Sequence, residues 1–237
     1  MHDFFSSIVN VLSDFFTVIH DQGVSVVISN PNISYGVAII IFTLIIRTML
    51  LPLNIKQMTS QLKMSEIQPE LKKLQEKYKN DPQKANIEVM KFYKEKGVNP
   101  LAGCLPLLIQ MPILFAMFWV FKGLFNDINP KPSFLWLNNL GAAEQNLKIA
   151  GIDTYIRILP ILSGASTYIS STLIAVKGDS AQAKQTATMN IFMGIMLVFM
   201  SWKMNAALVI YWIIGNLYQI TQTYVMKNYK KKSLEDA

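Results

Sequence analysis

The sequence predicts an all-α, polytopic membrane protein with five transmembrane helices around a hydrophilic groove and with a cytoplasmic helical hairpin. Three observations lead to this fold class. Apolar residues make up 51% of the 237 residues and charged residues only 16%, whereas soluble domains carry about 25% charged residues. Five apolar stretches are long enough to cross a bilayer as helices. The first of them encloses a single arginine, Arg47, whose charge needs hydrated surroundings at that depth.

The five apolar stretches set the domain organisation of the chain. The first stretch contains no charge other than Arg47 and has the roughly 20 residues that a transmembrane helix needs. Polar or charged segments separate it from the other four. The predicted spans cover residues 34–55, 101–121, 155–176, 186–202 and 206–226.

The segment before the first span, residues 1–33, predicts a helix of a different kind. It contains no Lys or Arg, so it lacks the positively charged start of a cleavable signal peptide. Between Phe4 and Ile19, apolar residues recur with the helical period, and serines and Asp14 interrupt them. This pattern predicts an amphipathic helix that lies in the membrane interface on the outer side.

The distribution of basic residues predicts the orientation of the chain. Ten lysines fall in residues 56–100, two in the loop 177–185 and four in the tail 227–237. These three segments share one side of the membrane when all five spans cross it. The loop 122–154, on the other side, carries only three lysines. The positive-inside rule therefore places the N-terminus outside and the C-terminus in the cytoplasm.

Residues 56–100 are too many for a simple connection and predict a helical hairpin. One amphipathic helix is broken at Asn80-Asp81-Pro82, where Asp81 suits a helix cap and Pro82 the first position of the next helix. The ten lysines of this segment exceed its six acidic residues. Two roles stay open for it: a solvated surface near anionic lipid, or a docking arm for a partner.

Arg47 has no acidic partner inside the predicted spans, because all 15 acidic residues fall outside them. The spans carry polar side chains at helical spacing, and turning these toward one another predicts a wet groove centred on Arg47. Taken singly, a serine or threonine is more often a small packing contact between helices. The candidate groove residues are Arg47, Thr43, Asn54, Gln110, Ser163, Ser166, Trp212, Asn216 and Gln219.

The fourth span carries a methionine stripe at positions i, i+4, i+7 and i+11. Such a stripe commonly faces lipid or fills a core. The functional alternative is an adaptable apolar surface for varied partners, because methionine repacks easily. The stripe consists of Met189, Met193, Met196 and Met200.

An enzyme or a metal protein is disfavoured by the same spans. No His, Asp or Glu lies in any of them to activate a serine or to bind a metal, and the only cysteine is Cys104. We therefore expect no catalytic residues, no metal, no cofactor and no nucleic-acid specificity. A small-solute or ion transporter remains the alternative function, although the chain shows no internal repeat of the kind that many transporters have.

Several motifs carry a resemblance to a known family. The first span ends in LLPL after Arg47 and is followed by LKMSEIQPELKKLQEKYKNDPQK and by GVNPLAGCLPLLIQMPILFAMFWV. Later stretches, FLWLNNL and YWIIGNLYQITQTYVMK, agree as well. The chain thus resembles the YidC/Oxa family of membrane protein insertases in its short, Gram-positive-type form. One departure is that the short forms usually begin with a lipoprotein signal and its cysteine, and neither is present in this sequence.

The resemblance implies a multi-pass protein of the bacterial plasma membrane that inserts and helps to fold other membrane proteins without ATP. Arg47 matches the arginine of the family's groove, where it would draw in the polar tails of client segments. The partners implied are nascent membrane proteins and anionic lipids. Through the basic hairpin and tail they would also include the ribosome, the receptor of the signal recognition particle and the Sec translocon.

Overall fold

The computed structural model describes residues 2–99, 105–126, 128–146, 148–149, 152–153, 156–175 and 181–235. Helices dominate these residues, so the predicted all-α fold class is confirmed. A short antiparallel pair, β1 (Lys148–Ile149) and β2 (Ile152–Asp153), is the only β-structure with named strands there. The helices are α1 (His2–Val18), a π-helix (Ile19–Val24), α2 (Ser25–Val27), α3 (Pro31–Met49), α4 (Leu51–Glu66), α5 (Gln68–Lys77), α6 (Pro82–Glu95), α7 (Leu105–Asn126), α8 (Ile158–Ile174), α9 (Ala181–Ser201) and α10 (Ala206–Glu235).

The first predicted span, 34–55, is divided between two helices. The side chain of Asn30 caps α3 by accepting a hydrogen bond from the backbone N–H of Asn32 at 3.0 Å, and Pro31 fills the first helical position. Leu50 then separates α3 from α4, in whose first turn Pro52 lies. Pro52 has no backbone N–H to donate to the oxygen of Thr48, and its ring clashes with that carbonyl group, which accounts for the interruption at this point.

Two stretches in the described part of the chain are long and apolar enough to cross a membrane by length and composition. They are Pro31–Met49 and Leu108–Asn126, with 19 residues each, and the apolar helix α8 is shorter. The arrangement of five spans therefore stays a prediction. The last helix differs from the predicted span 206–226, because α10 continues without a break for 30 residues to Glu235.

An aromatic cluster joins the N-terminal helix to the apolar helices. Phe16 of α1 is only 1% exposed, and its ring centroid lies 5.6 Å from that of Phe42 and 5.9 Å from that of Phe121. The ring of Phe121 in turn lies 6.1 Å from that of Tyr211. These ring contacts join α1, α3, α7 and α10 in one apolar core.

Helices α8 and α9 approach each other closely at two glycines. A Cβ atom on Gly164 would lie 2.8 Å from the backbone oxygen of Gly194, and a Cβ atom on Gly194 would lie 3.3 Å from that of Gly164. Small residues allow two helix backbones to approach in this way. The contact fixes α9 against α8.

The loop between α7 and α8 binds the first turns of two helices. The backbone N–H of Ala206, which opens α10, donates to the oxygen of Ala142 at 2.7 Å. The carboxylate of Glu144 accepts from the backbone N–H of Leu159 at 2.7 Å and from the indole of Trp136 at 2.6 Å. These bonds satisfy N–H groups that have no partner within their own helices.

Helices α5 and α6 pack against each other and against the end of α4. Asp81 caps α6 by accepting from the backbone N–H of Lys84 at 3.0 Å. Leu71 is fully buried within this unit, together with Tyr93. An ion pair of 2.6 Å joins Lys96, beyond the end of α6, to Glu70 near the start of α5. The two helices therefore run side by side in opposite directions; their placement in the cytoplasm stays a prediction.

Candidate functional site

The candidate site is centred on Arg47, in the last turn of α3. Only 7% of this residue is exposed. Its guanidinium lies against the backbone of α10 at Gly215, where a Cβ atom would come within 2.8 Å of Arg47 Nε and 2.9 Å of Cζ. The glycine therefore makes the room that the buried cation occupies.

The surroundings of Arg47 contain hydroxyl groups but no carboxylate partner. In the described part of the chain, Nε of Arg47 has no hydrogen-bond acceptor and the guanidinium takes part in no ion pair. Tyr211 and Tyr218, close enough to interact electrostatically with Arg47, lie on the same face of α10 as Gly215. The hydroxyl of Tyr218 also lies 3.2 Å from Oγ1 of Thr48, which ties α10 to α3.

Three of the predicted groove residues form a separate cluster between α8 and α10. The side-chain amide of Asn216 lies 3.0 Å from Oγ of Ser166 and 2.9 Å from Oγ1 of Thr167. The indole N–H of Trp212 donates to Oγ1 of Thr167 at 2.7 Å. With its oxygen toward α8, the Asn216 amide accepts from both hydroxyls and from the indole. In either orientation, these polar groups bind one another.

Ser163 also bonds to a neighbouring helix. It is fully buried, and its Oγ lies 2.8 Å from Oγ of Ser201 at the end of α9. It donates to the backbone oxygen of Pro160 within its own helix, also at 2.8 Å. Ser163 therefore links α8 to α9, and its place in the groove stays a prediction.

The remaining predicted groove residues lie in four helices. Thr43, one turn before Arg47, is fully buried and donates to the backbone oxygen of Ile39 at 2.6 Å. Asn54 lies half-buried in α4, beyond the break at Leu50. Gln110 in α7 and Gln219 in α10 are also half-buried. The Nε2 atom of Gln110 is buried and, among the described residues, has no hydrogen-bond partner.

The methionine stripe of α9 is divided between surface and core. Met189 is 41% exposed, whereas Met193, Met196 and Met200 are half-buried, and Met200 packs against the main apolar core. Large exposed apolar residues, among them Phe199, surround the stripe. A role in client contact stays a prediction.

Four residues of α10 that the sequence did not single out share the face on which Gly215 meets Arg47. They recur at i, i+4, i+7 and i+11, which places them on one helical face. The sequence marked the neighbouring, more polar face instead. A glycine at helical spacing from polar residues is the signal that could have identified this face. The four residues are Tyr211, Gly215, Tyr218 and Gln222.

A metal centre is not formed by the described residues. They contain no group of three or more His, Cys, Asp or Glu side chains that could hold a metal ion. The chemistry available around Arg47 is therefore that of a buried cation with hydroxyl and amide groups nearby. Such a site can attract anions and form hydrogen bonds.

Comparison with known proteins identifies the family. The model of the 60Kd inner membrane protein family matches residues 27–233. The chain belongs to this family. Membership confirms the family resemblance of the sequence motifs, and the matched range includes Arg47 and all of the candidate groove residues.

Curated relatives agree along almost the whole chain. A protein of Clostridium tetani named membrane protein insertase YidC is 48% identical over 223 residues, covering 94% of this chain and 94% of that protein. A protein of the same name from Clostridium perfringens is 46% identical over 242 residues, covering 99% and 97%. Both family relatives come from bacteria.

A solved structure is also similar to this family member. It is described as an active YidC insertase crystal structure with the first transmembrane domain resolved. The TM-score is 0.66 at 29% sequence identity, over 93% of this chain. The matched part is 46% of that protein's chain, so this chain corresponds to less than half of the longer protein.

Proposed function

We propose that this chain is a membrane protein insertase of the bacterial plasma membrane, which inserts integral membrane proteins and helps them fold. The names of the curated relatives support this function, and those names give no support to a small-solute or ion transporter. The residue that we assign to the central step is Arg47. Its clients are nascent membrane proteins.

The burial of Arg47 without a carboxylate partner is the observation that carries the proposal. A charged side chain buried within a membrane protein is costly unless it is paired or hydrated. An intramembrane carboxylate would offset this cost, but none pairs with Arg47 among the described residues. A cation kept at such a cost attracts anions, and an acidic side chain on a client segment has the matching charge.

Insertion then follows from charge and from apolar partition. Water and the polar face around Arg47 hydrate the tail of a client segment part of the way across the membrane. An acidic residue in that tail pairs with the guanidinium for a short time. The following apolar segment moves into lipid, and burial of about 20 apolar side chains at roughly 25 cal/mol per Å² drives the tail across without ATP.

The orientation and the further partners belong to the same proposal. The lysine-rich segments place the N-terminus outside and the C-terminus in the cytoplasm. In that orientation the α5–α6 pair and the end of α10 lie in the cytoplasm, where their lysines meet anionic lipid. The same basic surfaces are the candidate contacts for the ribosome, the receptor of the signal recognition particle and the Sec translocon.

Reconstitution tests the function directly. The purified protein is placed in liposomes, and a single-span client with a short acidic N-terminal tail is added. We expect the tail to become resistant to external protease, with empty liposomes as the control. If the tail stays sensitive in both samples, the insertase function is wrong for this chain.

A further inference from the structure

Gln222 of α10 has an unusual environment. It is only 9% exposed, and both polar atoms of its side chain, Nε2 and Oε1, are buried without a partner among the described residues. A buried amide without hydrogen bonds destabilises the fold that contains it. Most buried side-chain polar atoms in proteins are paired. The position therefore holds one donor and one acceptor that are not used within the described part of the chain.

Gln222 also lies on the face of α10 that meets Arg47. Seven residues separate it from Gly215, which is almost two full helical turns, so both residues point to the same side. Tyr218, which contacts Thr48 of α3, lies between them on this face. At a rise of 1.5 Å per residue, Gln222 lies about 10 Å farther along the helix than Gly215.

We infer that Gln222 binds the backbone N–H and C=O of one residue in an extended client segment whose acidic side chain pairs with Arg47. This inference rests on the proposed insertase function and adds a second contact to it. The side-chain amide would donate from Nε2 to the client's backbone oxygen and accept at Oε1 from the client's backbone N–H. In an extended chain the N–H and the C=O of one residue point to the same side, so a single primary amide can bind both of them.

A backbone contact suits a protein that handles many different clients. Every client has peptide groups, whereas its side chains vary. An unpaired peptide group is strongly disfavoured in hydrocarbon, which makes a temporary partner valuable during entry. About 10 Å corresponds to three residues of extended chain at roughly 3.3 Å each. The client residue bound by Gln222 should therefore lie about three residues from the acidic residue at Arg47.

Disulfide mapping tests this spacing. In a Cys104→Ser background, Gln222→Cys is combined with single cysteines along a client stalled during insertion. We expect the disulfide yield to peak about three residues from the client's acidic residue on one side. Thr221→Cys, on a neighbouring exposed face, serves as the control and should give no such peak. A yield from the Gln222→Cys variant that is flat along the client, or equal to that of the control, overturns the inference.

A functional cycle tests the hydrogen bonds separately. A client proline at the position of the disulfide peak removes the backbone N–H, and Gln222→Leu removes the amide. Each change should lower insertion by about fivefold, and the two together by little more than either alone. A proline at the mirror position on the other side of the acidic residue should have a smaller effect. The proline change is in the client and leaves the insertase unaltered. Its effect on insertion is therefore independent of whether Gln222→Leu folds.

The two levels of the proposal fail in different ways. If the wild type does not insert the client at all, the proposed function is wrong. If the wild type inserts the client and Arg47→Ala impairs this, but the proline and Gln222→Leu have no effect, the role of Gln222 alone is wrong. If the client proline and Gln222→Leu together lower insertion by the product of their separate factors, the two changes act independently. That result also overturns the contact between Gln222 and the client backbone.

Discussion

Gly215 of α10 supports the guanidinium of Arg47 with its bare backbone. A single methyl group on residue 215 would lie 2.9 Å from Cζ of Arg47, closer than two carbon atoms can pack. Gly215 therefore sets the position of the buried charge because it has no side chain. This relationship leads to the first prediction.

Gly215→Ala should displace Arg47 and lower the insertion of clients with acidic tails. We expect an activity between those of the wild type and Arg47→Ala, with clients that have neutral tails less affected. The matched control is Gly123→Ala in α7, where a Cβ atom would meet nothing within 4 Å and activity should not change. Equal losses in the two variants would show that helix propensity, and not displacement of Arg47, is responsible.

Arg47 should act through its charge and not through the fork geometry of its guanidinium. Arg47→Lys should retain much of the activity, because no carboxylate among the described residues requires a bidentate partner. Arg47→Ala should lower insertion of acidic-tail clients on the order of tenfold, and Arg47→Glu should be worse because like charges repel. Matched acidic and neutral clients are compared in the same cells.

Two results would contradict that prediction. One is an Arg47→Lys variant as defective as Arg47→Ala, which would mean that the donor geometry matters. The other is an equal loss for acidic and neutral clients, which would make Arg47 a structural residue. All three variants should fold, because no described carboxylate is left unpaired when the cation is removed.

Asn216 should behave as a packing residue between α8 and α10. Asn216→Leu removes the contacts with Ser166 and Thr167 and should lower the free energy of unfolding by about 1–3 kcal/mol. Insertion should fall for acidic and neutral clients alike, measured beside thermal unfolding in detergent. A normal unfolding temperature together with a loss confined to acidic clients would instead place Asn216 in the groove.

The wet groove can be mapped with single cysteines in a Cys104→Ser background. Cysteines at the half-buried positions Gln110 and Gln219 should react with membrane-impermeant thiol reagents added from the cytoplasmic side. A cysteine at Thr43, which is 0% exposed, should react slowly and serves as the internal control. Protection of all three positions would indicate a dry bundle.

The α5–α6 pair should exchange its backbone hydrogens faster than α7. Its core is small, with Leu71 and Tyr93 among its few buried apolar side chains, and a unit of that size opens at low cost. Hydrogen exchange followed by mass spectrometry compares the two regions in one sample. Protection of α6 equal to that of α7 would mean that the pair is held rigidly against another element.

The sequence predicted the helical class and the family, and its choice of groove residues, Arg47 among them, stays a prediction. Asn216 and Trp212 are polar at helical spacing, as a groove residue would be, and their hydrogen bonds instead bind α8. Periodicity shows that a face is polar and does not show which helix lies opposite. Gly215 and Gln222 depend on that packing, so the sequence alone did not identify them.

The division of the first span shows a signal that was present in the sequence. Pro52 lies in LLPL, and a proline within a helical stretch breaks the hydrogen bonding of the preceding turn, which is where α3 gives way to α4. A count of apolar residues does not detect that boundary. The cap at Asn30 and Pro31 likewise marks the start of α3 three residues before the predicted span.

The uninterrupted helix α10 links Gly215 rigidly to the residues beyond Lys227. Thirty helical residues at 1.5 Å each make a rod of about 45 Å, longer than the roughly 30 Å of the hydrocarbon layer. The rod runs past Lys227 without a hinge and includes Gly215 along its length. A pull or a tilt applied to α10 beyond Lys227 therefore also moves Gly215, against which the guanidinium of Arg47 lies.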